Sequence, residues 1–441
     1  MRFNMKNKSI DRRNFIKKLT SASLVATGFP YFISAKTLGR EGAVSPNNKI
    51  NMACIGVGGM GDANMKSFLG QDEAKVIAIC DVDTKHAKQA QSAVNRYYNN
   101  KDCAIYSDFR ELLKRDDLDA VMIATPDHWH GIIAIAAAQK GLDIYGEKPL
   151  AYNIPEGRAL VDAVERYGII WQTGSWQRSE RNFRFACELV RNGRIGDVHT
   201  VFVGVGGGDN AKNKSFPPAD PVPAELDYNM WVGPAAWLPY HQDRCHNNFR
   251  WNSNFAAGSI SDWTAHHIDI AHWGMGTEDS SPIEIAGKAI YPDGKDGLYD
   301  NPISYKYECE YEEDFKLIVG TDGIPKGSGV QFIGSEGWVH VNRGGISAEN
   351  PSLLKSVIGP GEIHLYKSTN HVGNFLDSVR SRKKTITPAE VAHHSIMPAY
   401  LGGIAMQLGR KVEWDKKRER FINDEAANRL LSRTMRSPWR L

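Results

Sequence analysis

The sequence is poor in cysteine and has no cysteine framework. Its six cysteines among 441 residues are Cys54, Cys80, Cys103, Cys187, Cys245 and Cys309, with no Cys-x-x-Cys pair. That spacing excludes a small disulfide-stapled fold and a thiolate zinc site. Cys54 and Cys80 fall inside apolar runs and read as packing residues. An excess of one charge sign is also missing. The 54 Lys and Arg nearly balance 51 Asp and Glu, for a net charge of +3. No basic stripe offers itself to a phosphate backbone, so nucleic acid is not an expected partner. There is no uninterrupted apolar run of membrane-spanning length: the stretch from Leu19 to Ile33 is broken by Thr20, Gly28 and Pro30. Internal repeats and low-complexity segments are absent as well. What remains is a chain with 24% charged residues, long enough for two domains with large cores.

The most informative feature present is the stretch from Lys49 to Gly61. A short apolar strand runs into Gly56-x-Gly58-x-x-Gly61, and a second apolar run, Val76 to Cys80, ends on Asp81. That is a dinucleotide-binding fingerprint in its required context. Gly56 permits the tight turn, Gly58 lets backbone amides approach a pyrophosphate, and Gly61 lets the helix pack on the strand. Gly59 and Met60 supply amides at the helix N-terminus, where the dipole favours an anion. Asp81 would accept hydrogen bonds from ribose hydroxyls and repel a 2′-phosphate. The expected cofactor is therefore NAD rather than NADP.

Between Lys49 and Thr173 the pattern alternates strand and helix. Strands are expected at Lys49–Gly56, Ala74–Cys80, Ala120–Ala124, Asp143–Gly146 and Ile169–Thr173. Helices are expected at Met60–Phe68, Thr84–Tyr98, Phe109–Arg115, His130–Lys140 and Pro155–Tyr167. Apolar strands bounded by helices predict an α/β domain with a doubly wound parallel Rossmann sheet. The second half predicts an α+β domain. Helices are expected at Phe183–Arg191, Ser261–Met275, His371–Ser381 and Glu390–Gln407. A strand at Val198–Gly206 is followed by short alternating strands that suggest an open, mostly antiparallel sheet. These are Glu284–Tyr291, Ser304–Tyr311, Phe315–Thr321, Gly329–Gly334 and Gly337–Asn342. The expected boundaries are an NAD-binding domain over 49–173, a substrate domain over 174–385, and a helical segment over 386–441 packing back on both.

Residues 206–255 form a long irregular stretch rich in aromatics, which argues for function rather than disorder. Seven of the 11 tryptophans lie between Trp171 and Trp273. A sugar has an apolar face for aromatic rings and a polar rim for Arg, His and Asp. Tyr240, Arg244, His246, Arg250 and Trp251 are spaced for such a wall, and Trp176-Gln177-Arg178 could extend it. Trp231 and Trp237 are expected to fill the interdomain core instead. His128, His130, His241 and His246 raise a metal site, but no carboxylate or thiol partner has matching spacing, so none is expected.

The N-terminal segment reads separately. Arg12-Arg13 precedes the modest apolar stretch, and residues 1–35 resemble a twin-arginine export signal, with Asp11 where the usual pattern has Ser or Thr. Residues 36–48 read as a polar linker. Export in the folded state implies a periplasmic protein, the export machinery as a partner, and an NAD carried out tightly bound and not exchanging.

Two further motifs carry a family resemblance. Gly146-Glu147-Lys148-Pro149 follows a strand of the first half, and Asp262-x-x-x-His266-x-x-Asp269 opens a helix in the second. Together, and with Thr125-Pro126-Asp127-His128-Trp129-His130, they resemble the Gfo/Idh/MocA oxidoreductases, which include glucose–fructose oxidoreductase and inositol dehydrogenase. The resemblance runs from about Lys49 to the C-terminus. It implies a catalytic set of Lys148, Asp262 and His266: Lys148 as proton relay and electrostatic stabiliser, His266 as base, Asp262 as orienting residue. It places Thr125, Pro126, His128, His130, Glu147, Lys148 and Gln177 along the cofactor. Thr264 and Ala265 stand where the family often has glycine or small residues, and His267 offers a second imidazole, as base or as a substrate contact. The implied activity is oxidation of a secondary hydroxyl of a sugar or glycoside. Two alternatives stay open: glycoside hydrolysis through transient oxidation at C3 and elimination, and a sugar-sensing module without catalysis. A homo-oligomer, dimer or tetramer, is expected.

Overall fold

Six short apolar strands dictate the first half of the molecule. The computed structural model describes residues 48–207, 219–292 and 298–441. The expected export signal, and its linker up to residue 47, lie outside the described residues. Strands β1 (Ile50–Ile55), β2 (Ala74–Cys80), β3 (Ala104–Tyr106), β4 (Ala120–Ile123), β5 (Asp143–Gly146) and β6 (Trp171–Thr173) form one sheet in the order 3-2-1-4-5-6. All pairs are parallel. β4 and β5 are buried at every position. A sheet buried on both faces needs helices on both. Helices α1 (Gly59–Leu69) and α2 (Thr84–Tyr98) cover one face through Met65, Phe68, Ala90 and Val94. Helices α3 (Asp127–Gln139) and α4 (Ile154–Tyr167) cover the other through Ile132, Ile133, Leu160 and Val161. The strand order reverses between β1 and β4, which opens a crevice at their carboxyl ends.

The helix ends differ in a way that matters for ligands. Asp83 caps α2, accepting from the amides of Lys85 at 2.8 Å and His86 at 3.3 Å. Asn153 caps α4 in the same way. No side chain caps α1, whose N-cap is Gly58. Its first-turn amides face the crevice as an anion site. Gly56 has φ +76°, and a Cβ there would lie 2.7 Å from the Ala124 carbonyl oxygen. A Cβ on Gly61 would lie 1.9 Å from the Gly56 carbonyl oxygen.

The second half builds a nine-stranded sheet. Its strands are β7 (Val198–Gly204), β8 (Glu284–Ile290), β9 (Ser304–Glu310), β10 (Lys316–Gly320), β11 (Gly329–Gly334), β12 (Gly337–Asn342), β13 (Gly345–Ala348), β14 (Val412–Asp415) and β15 (Arg420–Phe421). Their order is 13-12-11-7-10-9-8-14-15. Only β7 and β10 pair in parallel; the rest are antiparallel. Helices α5 (Arg181–Arg191), α6 (Thr264–Met275) and α8 (Ala389–Leu408) pack on this sheet around Phe183, Ile268, Ile396 and Leu401. Helix α7 (His371–Ser381) instead joins the first sheet, with Val372 and Phe375 against Phe68 and Tyr145.

Three sequence expectations change here. The 386–441 segment is not all helical: after Leu408 it adds β14 and β15 to the sheet edge before one short helical turn, Glu425–Asn428. Its end returns to the first half, where Trp439 packs on Trp129 at 4.7 Å between ring centroids. Helix α3 starts at Asp127, three residues earlier than expected, because Pro126 is well suited to a helix start. The stretch around residue 230 is ordered by its aromatics: Leu226, Tyr228, Trp231, Tyr240 and Phe255 form a small core. It straps onto the first domain, where Thr84 N donates to Glu225 O and Asp227 N to Val82 O, both at 2.9 Å. Trp231 is core as expected, but Trp237 is 53% exposed.

The Gly61 contact leads to a first prediction. Gly61→Ala forces α1 away from the Gly56 turn, at a cost on the order of 1–3 kcal/mol for overpacking. Thermal unfolding should show a Tm lowered by several degrees, and cofactor extraction should show lost NAD loading.

Candidate active site

The crevice widens into one cleft of about 600 Å³ between the two halves. At one end lie Gly56, Gly58, Gly59 and Met60 with the uncapped start of α1. Asp81 lines the same end. Its carboxylate accepts from Val57 N at 2.8 Å and Asp83 N at 2.9 Å. Burial raises its pKa, and those two amides oppose the rise. Gly61 does not line the cleft; it serves packing. These residues fit a dinucleotide. The glycine cradle has nothing within 4 Å of a Cβ placed on Gly59, and Thr125 Oγ1 is buried without a partner further along.

Lys148 follows β5 and points across the cleft. Its ammonium forms an ion pair with the Asp262 carboxylate and donates to the Asp262 carbonyl at 3.2 Å. Asp262 ends a short helix, Ser259–Asp262, and α6 begins at Thr264. The single helix expected over Ser261–Met275 is therefore interrupted at Trp263, leaving the Asp262 carbonyl available to Lys148. Arg250 Nε stands 3.3 Å from the other Asp262 oxygen. Burial raises the Asp262 pKa, but Lys148 and Arg250 outweigh it and hold the carboxyl below its ordinary range. Asp262 thus holds Lys148, and does not orient His266 as expected.

His266 lies on the first turn of α6, buried in the cleft wall. Burial first, then Lys148 and Arg343, hold its pKa well below the ordinary value. The ring is neutral at physiological pH and able to accept a proton. Its Nδ1 has no hydrogen-bond partner. His267 turns the other way, with Nδ1 2.9 Å from the Gly204 carbonyl oxygen on β7. His267 is outside the cleft lining, so His266 is the imidazole facing the chemistry.

Several expected site residues hold structure instead. His128 Nε2 lies 2.9 Å from Trp231 O, and burial pushes its pKa down to about 3. His130 bridges Pro149 O at 2.7 Å and Thr125 O at 2.8 Å, tying together two segments of the cleft wall. Both sit on α3, outside the cleft lining. Arg178 is buried and paired to both oxygens of Asp269 at 2.8 Å and to Glu278 at 2.6 Å. Tyr240 belongs to the aromatic core, Trp251 packs on Leu298 and Tyr299, and buried Arg244 donates to Pro239 O. Of the expected sugar wall, Trp176, Arg250 and His246 reach the cleft, and His246 does so at the Asp81 end. Among the described residues, Asp83, His86 and His246 gather potential ligand atoms within 4.8 Å of one another. There Asp83 Oδ2 stands 3.7 Å from His246 and 3.9 Å from His86, while Oδ1 caps α2.

Thr125, Pro126 and Glu147 do line the cleft, Glu147 accepting from Asn64 at 2.8 Å. Gln177 lies behind it. With its amide turned to suit both neighbours, Gln177 donates to His266 O at 3.2 Å and accepts from Arg343 Nε at 3.1 Å. Arg343, Trp263 and Asp127 are cleft residues with no role assigned from the sequence. Arg343 sits between β12 and β13, over 160 residues from Gln177, with no motif to mark it. Asp127 begins α3, and burial lifts its carboxyl to about 7 against the pull of Lys148, with Asp262 adding to the rise. The Pro-Asp helix start was its only signal.

A parallel 3-2-1-4-5-6 sheet with an uncapped glycine turn, joined to a Lys–Asp–His cluster, defines an NAD-binding oxidoreductase. Residues 50–175 match the model of the oxidoreductase family NAD-binding Rossmann fold. Residues 188–441 match that of the oxidoreductase family C-terminal alpha/beta domain. The chain belongs to the Gfo/Idh/MocA oxidoreductase family. It is 32% identical over 207 residues to glycosyl hydrolase family 109 protein 2 of Shewanella sp. strain ANA-3, covering 43% of this chain and 44% of that one. It is 24% identical over 229 residues to myo-inositol 2-dehydrogenase of Thermotoga maritima, covering 52% and 56%. The matches thus span about half the length of these curated relatives. The fold is similar to that of the WlbA dehydrogenase of Bordetella pertussis in complex with NADH and UDP-GlcNAcA. That likeness has TM-score 0.61 and 16% identity, covering 83% of this chain and 99% of that one. It is also similar to aldose-aldose oxidoreductase of Caulobacter crescentus complexed with glycerol, with TM-score 0.59, 16% identity and the same coverage.

The Asp127 carboxyl gives a pH prediction. Its folded pKa lies above the ordinary ~3.9, so the folded state binds the extra proton and loses stability as pH rises from about 4 to 7. Asp127→Asn should have no Tm advantage over wild type below about pH 4. The advantage should grow to full size above about pH 7, read as the difference between the two thermal-unfolding series.

Proposed function

We propose that this chain is an NAD-dependent carbohydrate oxidoreductase acting on a secondary hydroxyl of a sugar or glycoside. The carrying observation is Lys148, locked by Asp262 beside a neutral His266 in the cleft that begins at the glycine turn. A bound nicotinamide supplies a hydride acceptor. His266 accepts the hydroxyl proton on its ring. The Lys148 ammonium offsets the negative charge that grows on the oxygen as that proton leaves. Asp262 fixes the ammonium in place through both its carboxylate and its carbonyl. Thr125, Pro126 and Glu147 would border the nicotinamide, and Asp81 would bind the adenosine ribose.

A second reading is glycoside hydrolysis through transient oxidation at C3. Asp127 favours it: a carboxyl with a pKa of about 7, in the same cleft, can give a proton to a departing aglycone. The similarity to glycosyl hydrolase family 109 proteins agrees with that reading. The two are separated by product. The first yields one reduced nicotinamide per substrate in a single turnover; the second releases aglycone with no net reduction.

The same reading holds that NAD stays bound. The strap from Leu226 to Phe255 lies over the dinucleotide end, with His246 facing Asp83. Retention suits the Arg12-Arg13 signal, periplasmic location and passage through the export machinery in the folded state. An assembly of two or four copies belongs to the same proposal.

Lys148→Ala and His266→Ala should each keep fold and bound NAD. Turnover, followed near ~340 nm with a screen of sugars and glycosides, should fall on the order of 10²-fold or more. Asp81→Ala should weaken NAD binding and narrow its preference over NADP, measured by titrating both into stripped protein.

A further inference from the structure

The substrate half of the cleft holds three cations, and one of them has no carboxylate of its own. Lys148 and Arg250 share the two oxygens of Asp262. Among the described residues, no ion pair is formed by Arg343. Its guanidinium carbon lies 4.3 Å from the centre of the Trp176 ring and 4.6 Å from that of Trp263. Both rings also stand 6.3 Å from His266. Two indoles restrain the guanidinium through its electrostatic attraction to their faces, without neutralising its charge. Gln177 engages Nε at 3.1 Å and holds the His266 carbonyl with the same amide. What stays available is the pair of terminal nitrogens, preset in register with the imidazole. A planar fork of N–H donors, restrained before binding, suits an oxyanion and does little for a neutral hydroxyl rim.

From this, and resting on the sugar reading above, we infer that Arg343 anchors an anionic group on the substrate, a carboxylate or a phosphate. The site then selects acidic over neutral sugars. The charge balance agrees, because Asp127 is held partly protonated near neutral pH and leaves the region short of negative charge. Arg343 stands next to the wall that carries His266, so an anion bound there would fix the distance from the sugar ring to the base. Arg343 is a specificity residue by this account, and takes no part in proton or hydride transfer.

The test uses the full NAD-loaded chain and isothermal titration with methyl β-D-glucuronide, glucose 6-phosphate and methyl β-D-glucoside. At least one of the two anionic sugars should bind ten-fold or more tighter than the glucoside, and added salt should weaken that advantage. A lead for the glucuronide identifies a carboxylate, and a lead for glucose 6-phosphate identifies a phosphate. Arg343→Met should bring the three affinities within about two-fold while keeping bound NAD and Tm. Arg343→Lys, with charge but no fork, should retain part of the preference. Equal binding by wild type, tighter binding of the glucoside, no binding of any sugar, or an equal loss for all three in Arg343→Met would overturn the inference. Absorbance near ~340 nm is followed in parallel and reads the oxidoreductase proposal separately. An anionic sugar that binds without reducing the nicotinamide leaves Arg343 standing and counts against oxidation. A glucoside oxidised with no anionic preference does the reverse.

Discussion

The ion pair between Lys148 and Asp262 is the constraint around which the cleft is arranged. It joins the end of a strand in the first sheet to a short helix in front of the second. Lys148 reaches both the carboxylate and the carbonyl of Asp262, and the carbonyl is available because the helix breaks at Trp263. The same break lets α6 start at Thr264 with His266 in its first turn. A half-buried pair is stable only when its remaining valences are met. Here Arg250 adds a second positive charge 3.3 Å from the other carboxylate oxygen. Burial, with the fields of Lys148 and Arg343 added, keeps His266 neutral. One pairing therefore fixes where the ammonium is and stands beside the helix start that carries the imidazole.

Polar residues divide between chemistry and scaffold by who their partners are. Arg178 looks like a binding residue from its neighbours in sequence, yet it is closed off by Asp269 and Glu278, and Asp269 is held in turn by Ser395 Oγ at 2.9 Å. Removing one member of such a buried group costs several kcal/mol, on the order of 3–5, because the other charge stays behind. Glu156 and Arg433 form a comparable pair at 2.9 Å and tie the C-terminal segment to α4. Arg343 is the contrast: held between two indoles, it feels the charge of Asp262 but forms no ion pair among the described residues. In a cleft otherwise assembled from mutual pairs, that asymmetry carries information about the ligand.

The fold was legible to a large degree because it rests on local signals. Alternating apolar strands and helices in residues 49–173 have one economical solution, a parallel sheet covered on both faces, and Gly56, Gly58 and Gly61 mark the turn at its centre. Four elements of two to four residues escaped notice. β3, β13, β14 and β15 are too short to show a period, and are held by pairing with strands that arrive from elsewhere. The location of α7 on the first sheet could not be read either, since its apolar stripe fits either core.

Legible along the chain are the residues whose chemistry follows from their immediate neighbours. These are the glycine turn, Asp81 at the end of β2, Lys148 in Glu-Lys-Pro, and a His four residues after an Asp. Which of two adjacent imidazoles faces the cleft depends on packing. Successive helix positions point about 100° apart, and the hydrogen bond from His267 to Gly204 on β7 settles which one turns away. Tertiary contacts also decided that Arg178, Arg244, Tyr240, Trp251, His128 and His130 serve packing, and that Arg343 belongs to the site. The physical reason is the same throughout. A side chain's role depends on the charge and space around it, and in this chain those come from segments 100 or more residues away, as with Arg178 and Glu278 or Lys148 and Asp262.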